Sequence, residues 1–434
     1  MAGTPKSSPP IAVVASTDAR AVNRYLAPVR TRDVATETRV SDIVAAVRRR
    51  GDAALVRYAR ELDGLRGAVE ISADDMREAA RAVPRPVRTA IRDAARHIRT
   101  VAKAQVPKGW RVAVAPGVRV EQRVIPLDRV GCYVPGGRYP LPSSVLMTAI
   151  PAKAAGVAEV IAVCPRPDAT VLAAALEAGV SRFFRIGGAH AIAALAYGTA
   201  TVPRVDKIVG PGNRFVAAAK ALVAGDCGID FYAGPTEIVI VASRGPASWI
   251  AADLIAQAEH DPDARAVLIT PSRALAIEVA AAVAARMPPD GPASESLRRH
   301  GAIIVTGSLD EAVDLANRSA AEHLVVDDDR VAARVRCAGS IFVGGWSAQV
   351  AGDYAIGCNH VLPTAGAARV RGGLSAADFV RQVTVQRLTK AGLASIGPRV
   401  IALANAEGLV GHAASIALRM DSLATNASRR RAGA

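Results

Sequence analysis

The chain has 434 residues, which is enough for two or three domains with hydrophobic cores of their own. Hydrophobic residues make up 51% of it and charged residues 21%, a globular composition that excludes an intrinsically disordered protein. The formal net charge of +15 is compatible with a nucleic-acid partner, but aromatic residues are only 4% and no nucleic-acid motif is present, so we interpret it as a basic solvated surface.

Residues 1–10 are polar and rich in proline, and we expect them to be disordered. The apolar run after them, Ile11–Val14, is too short for a signal peptide or a membrane span, so we expect no membrane partner. The five cysteines are odd in number and form no C-x-x-C pair, which argues against a disulfide framework and a thiolate zinc site. These features predict a cytoplasmic protein.

Helical patterns come first in the chain. Residues 40–62 and 74–105 have apolar residues at helical spacing. Between 111 and 134 valines alternate with other residues around Pro116-Gly117, which predicts a hairpin. Gly131–Gly137 then reads as a strand that ends in a glycine-rich turn.

Strands and helices then alternate in two successive series. The first consists of helix 144–156, capped by Ser143 or Ser144, strand 160–164, helix 170–179, strand 182–186, helix 190–196, strand 207–209 and helix 214–224. The second consists of strand 238–241, helix 249–260, strand 266–269, helix 273–286, strand 302–305, helix 309–317 and strand 324–326. Such alternation predicts parallel sheets covered by helices on both faces. Helices at 375–384 and 396–419 close the chain.

We therefore predict an α/β protein with two Rossmann-like parallel-sheet domains and a helical C-terminal extension. The expected divisions are a disordered tail at 1–10, a first Rossmann-like domain with N-terminal helices at 11–132 plus 236–374, a second at 133–235, the helical extension at 375–426 and a loose basic tail at 427–434.

A Gln and a His lie three positions apart at the end of one predicted helix. Gln257 and His260 would share a face there, and Pro262 would stop the helix just beyond them. Imidazole is a common zinc ligand, whereas an amide oxygen needs harder partners such as a carboxylate. A surface Gln and a capping His would give the same pattern. Whether the pair belongs to a metal site therefore depends on the other histidines of the chain.

Five of the seven histidines lie at predicted element ends: His190, His260, His323, His360 and His412. His97 and His300 fall in Arg-rich helical surface, where a structural role is sufficient. Glu322 precedes His323 directly, which puts a carboxylate beside an imidazole where a strand begins.

Two further pairs supply acids and imidazoles. Asp353 and His360 are seven apart in a loop broken by glycines. Glu407 and His412 are five apart and would point about 140° away from each other on a regular helix. Taken together, the chain offers Gln, His, Asp and His for a metal and Glu plus His for proton transfer. Gly210–Asn213 is a weak phosphate-turn signal, and spacing alone does not name a cofactor.

Long ordered motifs show that the chain resembles the histidinol dehydrogenase family, from about residue 30 to 420. The distinctive segments are VGCYVPGGRYPLPSSVLMTAIPAKAAGV from Val130, AIAALAYGT from Ala191, DKIVGPGN from Asp206, GIDFYAGPTE from Gly228, AADLIAQAEHDP from Ala251, AEHLVV from Ala321 and GDYAIGCNHVLPT from Gly352.

The resemblance implies a cytoplasmic enzyme that oxidises L-histidinol to L-histidine through the aldehyde, using NAD, at the end of histidine biosynthesis. It implies a zinc ion that positions the substrate, with ligands at Gln257, His260, Asp353 and His412. In the family, the last ligand comes from the other subunit of a domain-swapped homodimer, so the helical extension would be exchanged.

The family's catalytic roles fall on two adjacent residues. His323 would take the alcohol proton, and Glu322 would activate water to attack the aldehyde. Cys132 could act as a thiol nucleophile, but we interpret it as a buried structural cysteine. The substrate-binding positions implied are Thr236, Gln257, His260, His323, Asp353, His360, Glu407 and His412, and the NAD-binding ones are Tyr133, His190 and Asn213.

Two positions depart from the usual family pattern. The family more often has Gln where this chain has His190 and Ser where it has Thr236, and both replacements keep a hydrogen-bonding group. They leave open a paralogue that oxidises another small polar alcohol, such as a sulfonated diol. From a different class, a basic nucleic-acid-binding protein would show DNA binding that depends on salt and on Arg429–Arg431.

Overall fold

The computed structural model describes residues 10–27, 33–137, 139–232 and 234–432. The expected disordered start therefore lies outside the described residues, except for Pro10. The strands are β1 (Ala12–Ala15), β2 (Glu70–Ile71), β3 (Trp110–Ala115), β4 (Val118–Pro126), β5 (Arg129–Tyr133), β6 (Glu159–Val163), β7 (Arg182–Phe184), β8 (Lys207–Val209), β9 (Gly228–Ile229), β10 (Glu237–Val241), β11 (Arg265–Thr270), β12 (Gly301–Val305), β13 (His323–Val326), β14 (Ser340–Val343) and β15 (Val380–Leu388).

The α-helices connect these strands. They are α1 (Ala19–Leu26), α2 (Val34–Arg50), α3 (Asp52–Tyr58), α4 (Ala73–Ala82), α5 (Arg85–Gln105), α6 (Pro142–Ala154), α7 (Ala169–Ala178), α8 (Gly188–Tyr197), α9 (Arg214–Val223), α10 (Ala247–Ala258), α11 (Arg273–Arg286), α12 (Pro292–His300), α13 (Leu309–Ser319), α14 (Asp329–Ala332), α15 (Gln349–Tyr354), α16 (Lys390–Ala406) and α17 (Val410–Ala432).

The chain divides into two units. The first combines Met1–Val106 with Leu127–Phe379, and the second combines Pro107–Pro126 with Val380–Ala434. The first contains two six-stranded sheets and the second a three-stranded sheet. The predicted α/β class, with two parallel-sheet domains and a helical C-terminal segment, is confirmed.

The first sheet is parallel throughout, in the order β1-β12-β11-β10-β13-β14. From β10 the chain winds outward to β11 and β12 on one side, then crosses to β13 and β14 on the other. The direction of winding thus reverses between β10 and β13, which makes this a topological switch point.

Both faces of the first sheet are buried. Ile238 and Ile240 of β10 pack with α10, α11 and α12, whereas Val239 and Val241 point to the other face and pack with α1 and α13. Each such side chain contributes about 1.5–3 kcal/mol when it is fully buried. The continuous apolar run of a central parallel strand follows from this double coverage.

The second sheet has the order β2-β7-β6-β5-β8-β9 and is parallel except for its edge strand β2. Its winding reverses between β5 and β8, as it does in the first sheet between β10 and β13. Helices α2, α3, α8 and α9 cover one face, and α4, α5, α6 and α7 pack together as a second layer.

The second unit contains the predicted hairpin. β3 and β4 pair antiparallel across Pro116-Gly117, and β15 pairs with β4 along its whole length. Glu121 on β4 is buried and accepts hydrogen bonds from Arg387, Arg123 and Arg111, which lower its pKa to about 2. Helices α16 and α17 pack against each other.

The N-terminal helices lie elsewhere than expected. We assigned 11–132 to the first domain, but α2 packs on α8 and α9, α4 on α7 and α5 on α6. Strand β5, placed at the end of the first domain, pairs between β6 and β8 in the second sheet. Of the described residues in this region, those that join the first sheet and its covering helices are β1 and α1, because an element buries its apolar face against whichever surface complements it.

The predicted helix at 375–384 is wrong. Ala376–Phe379 forms a single 3₁₀ turn, and β15 begins directly after it. The consecutive β-branched residues at 383–385 favour a strand, and pairing with β4 stabilises it.

Three further helix boundaries differ. The predicted helix 396–419 is two helices, because Gly408 has a left-handed φ of +73° between α16 and α17. Helix α17 continues through the expected loose tail at 427–434 as far as Ala432, and the last two residues lie outside the described ones. Helix α6 begins at Pro142 with Leu141 as its cap, where we had expected Ser143 or Ser144.

None of the described helices is both long enough and apolar enough to cross a bilayer.

Candidate active site

The amino ends of β10 and β13 bring Thr236 next to Glu322. The two strands are neighbours, with Ile238 opposite His323, so the residues that precede them also meet. One carboxylate oxygen of Glu322 accepts the Thr236 hydroxyl at 2.5 Å and the Glu237 backbone N–H at 2.9 Å. Burial raises the pKa of Glu322 to about 7, so this carboxyl group can exchange a proton near neutral pH.

Gln257 extends this hydrogen-bonded network. Its side chain is fully buried, and its Nε2 donates to the Thr236 hydroxyl oxygen at 2.5 Å. The bonds therefore run from Gln257 through Thr236 to Glu322. The Oε1 atom of Gln257 has no hydrogen-bond partner although it is buried, so this oxygen is available to a ligand.

His323 follows Glu322 and is also buried. Its Nδ1 lies 3.3 Å from the Glu237 carbonyl oxygen, which favours the tautomer with the proton on Nδ1. Burial lowers the pKa of His323, so the ring is neutral near pH 7. Its Nε2 has no hydrogen-bond partner and lies 3.9 Å from Asp353 Oδ1. A neutral imidazole with a free Nε2 lone pair can act as a general base.

Helix α15 carries Asp353. Burial raises the pKa of Asp353 to about 6. Gln349, one turn earlier and fully buried, donates from Nε2 to Asp353 Oδ2 at 2.8 Å. His360 lies with its Nδ1 3.2 Å from the Asp353 carbonyl oxygen, and burial lowers the pKa of His360 to about 4.

His260 lies one turn beyond Gln257, as expected, but not on a helix. Helix α10 ends at Ala258, and His260 is in the following turn, where its N–H lies 3.4 Å from the Gln257 carbonyl oxygen. The residue is exposed. Desolvation nevertheless lowers the pKa of its imidazole, so the ring is partly withdrawn from water, close in the chain to a buried amide.

Glu407 and His412 belong to the second unit. Glu407 is the C-terminal cap of α16, and His412 is the third residue of α17; both are exposed. The expected 140° separation assumed one regular helix and does not apply, because Gly408 separates α16 from α17.

The three residues implied for NAD binding lie at carboxyl ends of the second sheet. Tyr133 ends β5, is buried, and its hydroxyl accepts the Gly188 N–H at 3.1 Å. His190 is fully buried, with Nε2 2.8 Å from Asp63 Oδ2. Asn213 is exposed and caps α9 with its side chain. In this structure only Asn213 of the three is open to solvent.

Sequence and structure comparisons then identify the family. A profile of the family described as histidinol dehydrogenase matches residues 28–420. The chain is 47% identical to a histidinol dehydrogenase from Methanothermobacter thermautotrophicus over 397 residues, which is 88% of this chain and 92% of the relative. It is 45% identical to one from Bordetella parapertussis, over 92% of this chain and 94% of the relative.

The chain belongs to the histidinol dehydrogenase family. A solved structure of histidinol dehydrogenase from Elizabethkingia anophelis agrees with this fold at a TM-score of 0.91 and 30% identity, covering 96% of this chain and 99% of that one. The expected resemblance is confirmed, and the protein is an oxidoreductase of this family.

The zinc ion predicted from the family resemblance can be compared with the donor groups that the structure provides. Among the residues the structure describes, no group of three or more His, Cys, Asp or Glu side chains is arranged to hold a metal ion. The predicted donor set contains an amide, however, and the buried, unpartnered Oε1 of Gln257 is an oxygen donor of the required kind. The donor groups therefore fit a cation whose coordination sphere is completed by ligands from outside this cluster.

Sequence reasoning missed two residues around this candidate site. Gln349 holds Asp353, and its i,i+4 spacing on a helix was a usable signal. His97, treated as a surface residue, contacts the Ala355 carbonyl oxygen through Nδ1 at 2.7 Å and so anchors the loop after Asp353. No local pattern indicated this contact, which joins residues 258 positions apart.

Proposed function

We propose that this protein oxidises L-histidinol to L-histidine in two hydride transfers through L-histidinal, as the last steps of histidine biosynthesis. The main support is the buried Glu322–His323 pair, an acid with a raised pKa beside an imidazole with a lowered pKa, in a member of this family. Such a pair can move protons in both oxidations.

His323 acts as the base of the first oxidation. Its Nε2 takes the hydroxyl proton of the alcohol, while the Nδ1–H stays on the Glu237 carbonyl oxygen and keeps the ring oriented. NAD, when bound, supplies the hydride acceptor. The alcohol loses one proton and one hydride and becomes the aldehyde.

Glu322 acts as the base of the second oxidation. Its carboxylate takes a proton from water, whose oxygen adds to the aldehyde carbon, and the protonated His323 returns its proton to the aldehyde oxygen, which gives a hydrate and frees His323 as a base. The Thr236 hydroxyl and the Glu237 N–H hold one carboxylate oxygen in place. His323 then takes a proton from the hydrate as the second hydride leaves, and the product is the carboxylic acid.

We propose zinc ligands at Gln257, His260, Asp353 and, from a second copy of the chain, His412. The metal, when bound, would fix the amino and imidazole nitrogens of the substrate. The open Oε1 of Gln257, the exposure of His260 and the hold of Gln349 on Asp353 Oδ2 support the assignment. His412 is exposed on α17, so a homodimer with exchanged C-terminal helices could present it to the partner.

The remaining substrate contacts are proposed at His360, Thr236 and Glu407. His360 bonds to the backbone of Asp353, which places it beside the proposed metal ligand. Thr236 lies between Gln257 and Glu322.

NAD is proposed to bind at the switch point of the second sheet, beside Tyr133 and Asn213. The carboxyl ends of β5 and β8 meet there, which is where open α/β sheets bind ligands. His190 would line this site together with Asp63, to which it is hydrogen-bonded. A cytoplasmic location remains a prediction.

The test is NADH formation with limiting L-histidinol, before and after chelation and with zinc restored. Two NADH per histidinol, lost on chelation and regained with zinc, is the expected result. No turnover by the zinc-loaded protein would overturn the substrate. A panel of small polar alcohols would then test the paralogue, whose support is the departure from the family pattern at His190 and Thr236.

A further inference from the structure

A buried ion pair holds both backbone polar atoms of Gly210. The Gly210 N–H donates to Asp230 Oδ2 at 2.8 Å, and the Gly210 carbonyl oxygen accepts from Lys220 Nζ at 3.0 Å. Lys220 Nζ also contacts Asp230 Oδ1 directly. Lys220 is 3% and Asp230 4% exposed, so the pair is almost entirely withdrawn from water.

Gly210 begins the turn Gly210–Asn213 after β8, and its conformation needs support. Its φ is +117°, and a Cβ there would lie 2.2 Å from the Tyr133 carbonyl oxygen. Only glycine fits so close an approach between the ends of β5 and β8. The ion pair therefore fixes the turn at the switch point of the second sheet.

Asp230 is itself held from several sides. Its Oδ1 accepts the Phe231 N–H at 2.7 Å, and its carbonyl oxygen accepts from the Arg371 guanidinium, which also stacks over the Phe231 ring at 4.5 Å. The Asp230 carboxylate, which accepts the Gly210 N–H, is thus fixed in position.

Such a pair is a poor device for stability alone. Removing two charges from water is costly, and apolar replacements of similar volume are often as stable. The specific effect of Lys220 and Asp230 is on the two backbone polar atoms of Gly210, of which Asp230 accepts the N–H and Lys220 donates to the carbonyl oxygen.

We propose that Lys220 and Asp230 are positioning residues for the cofactor, holding the turn Gly210–Asn213 against Tyr133 in the shape that receives NAD. This inference rests on the proposed function, because it assigns a role at the NAD site proposed above. Neither residue needs to touch the dinucleotide, since each acts through the backbone of Gly210.

The experiment measures the dissociation constant of NADH by fluorescence for the full-length protein and its variants. The main variant is Lys220→Met with Asp230→Asn, which removes both charges and leaves no unpaired charge buried. The dissociation constant and the KM for NAD should rise by about 10- to 100-fold, as for a misplaced binding group, with kcat much less affected. Asp230→Asn alone should also raise the dissociation constant, and it should lower thermal stability more than the double variant does, because the buried Lys220 charge loses its carboxylate partner.

Glu70→Gln is the matched control. Glu70 pairs with Arg182 at 2.7 Å on the β2 edge of the same sheet, away from the switch point. It should change thermal stability without changing NADH binding. Unchanged NADH binding in the folded double variant, or an equal loss in Glu70→Gln, would overturn the inference and leave the proposed function intact. If the unaltered protein binds no NADH, the proposed cofactor fails and the inference fails with it.

Discussion

The amino edge of the first sheet and the carboxyl edge of the second are built by different means, and we propose different tasks for them. At the first edge, burial raises the pKa of Glu322 to about 7 and lowers the pKa of His323, so that both side chains can serve as bases. At the second, glycine turns bring backbone groups together, and the Lys220–Asp230 pair holds them. Proton transfer needs tuned side chains, whereas a dinucleotide needs a shaped backbone.

The opposite edge of the first sheet strengthens this contrast. At the carboxyl end of β13, Asp327 Oδ2 accepts both the N–H and the hydroxyl of Ser243, at 2.7 and 2.6 Å. That carboxylate is held by donors at the switch point of its sheet. Two carboxylates at the two ends of one strand therefore offer a direct comparison.

The largest effect is expected from Glu322→Gln. Loss of the base should slow oxidation of L-histidinal by about 10²–10⁴-fold, while the first NADH from L-histidinol still forms. Single-turnover kinetics with each substrate separates the two steps. Asp327→Asn, at the other end of β13, is the control and should leave both steps near normal. A full-rate aldehyde step in Glu322→Gln would refute the assigned role.

A smaller but clear effect is expected from Gln349→Leu. The substitution removes the donor to Asp353 Oδ2 at a fully buried position, so the carboxylate loses its fixed orientation. Zinc affinity should fall by about 10- to 100-fold, measured by competition with a chromophoric chelator. Asn317→Leu removes another buried amide, which donates to the Arg334 carbonyl oxygen. If both variants lose zinc equally, Gln349 has no special role.

The pH dependence should separate the two bases. Burial raises the pKa of Glu322 to about 7, so the carboxylate needed for water activation disappears as the pH falls below that value. The rate with L-histidinal should then fall by about tenfold per pH unit. The pKa of His323 is lowered, so its neutral form persists to lower pH. A flat profile for L-histidinal between pH 5.5 and 8 would contradict this prediction.

The smallest effect on chemistry is expected from Glu121→Gln, which lies in the second unit and at neither edge. The arginines around Glu121 lower its pKa to about 2, below its ordinary value of 4.5. The folded carboxylate thus adds stability above about pH 4.5, and this contribution is lost as the pH falls toward 2. Thermal melting should show destabilisation of the variant at pH 7 and little difference from the parent near pH 2. NADH binding should not change.

The fold class could be predicted from the sequence because the periodicity of apolar residues and the local composition determine most strands and helices. The buried runs of β6, β10, β11 and β12 were found because parallel strands covered on both faces are continuously apolar. The assignment of α2 to α5 to a sheet failed because amphipathic spacing shows that a face is buried but not against what.

The candidate site was predicted to the extent that its members are neighbours in sequence or match the family motifs. Glu322 and His323 are adjacent, and the structure joins them to Thr236 and Gln257 through bonds that only the pairing of β10 with β13 creates. The positions of Lys220 and Asp230 gave no signal, because a Lys and an Asp ten apart appear ordinary until the turn between β8 and α9 is folded.

The hydroxyl of Thr236 has a single proton, and this gives the Gln257–Thr236–Glu322 network a polarity. The proton points toward Glu322, so the lone pairs of the same oxygen face Gln257. Valine has the shape of threonine but would break both bonds at once, whereas serine would keep both. Position 236 is therefore constrained by hydrogen-bond direction, a requirement that both threonine and serine meet.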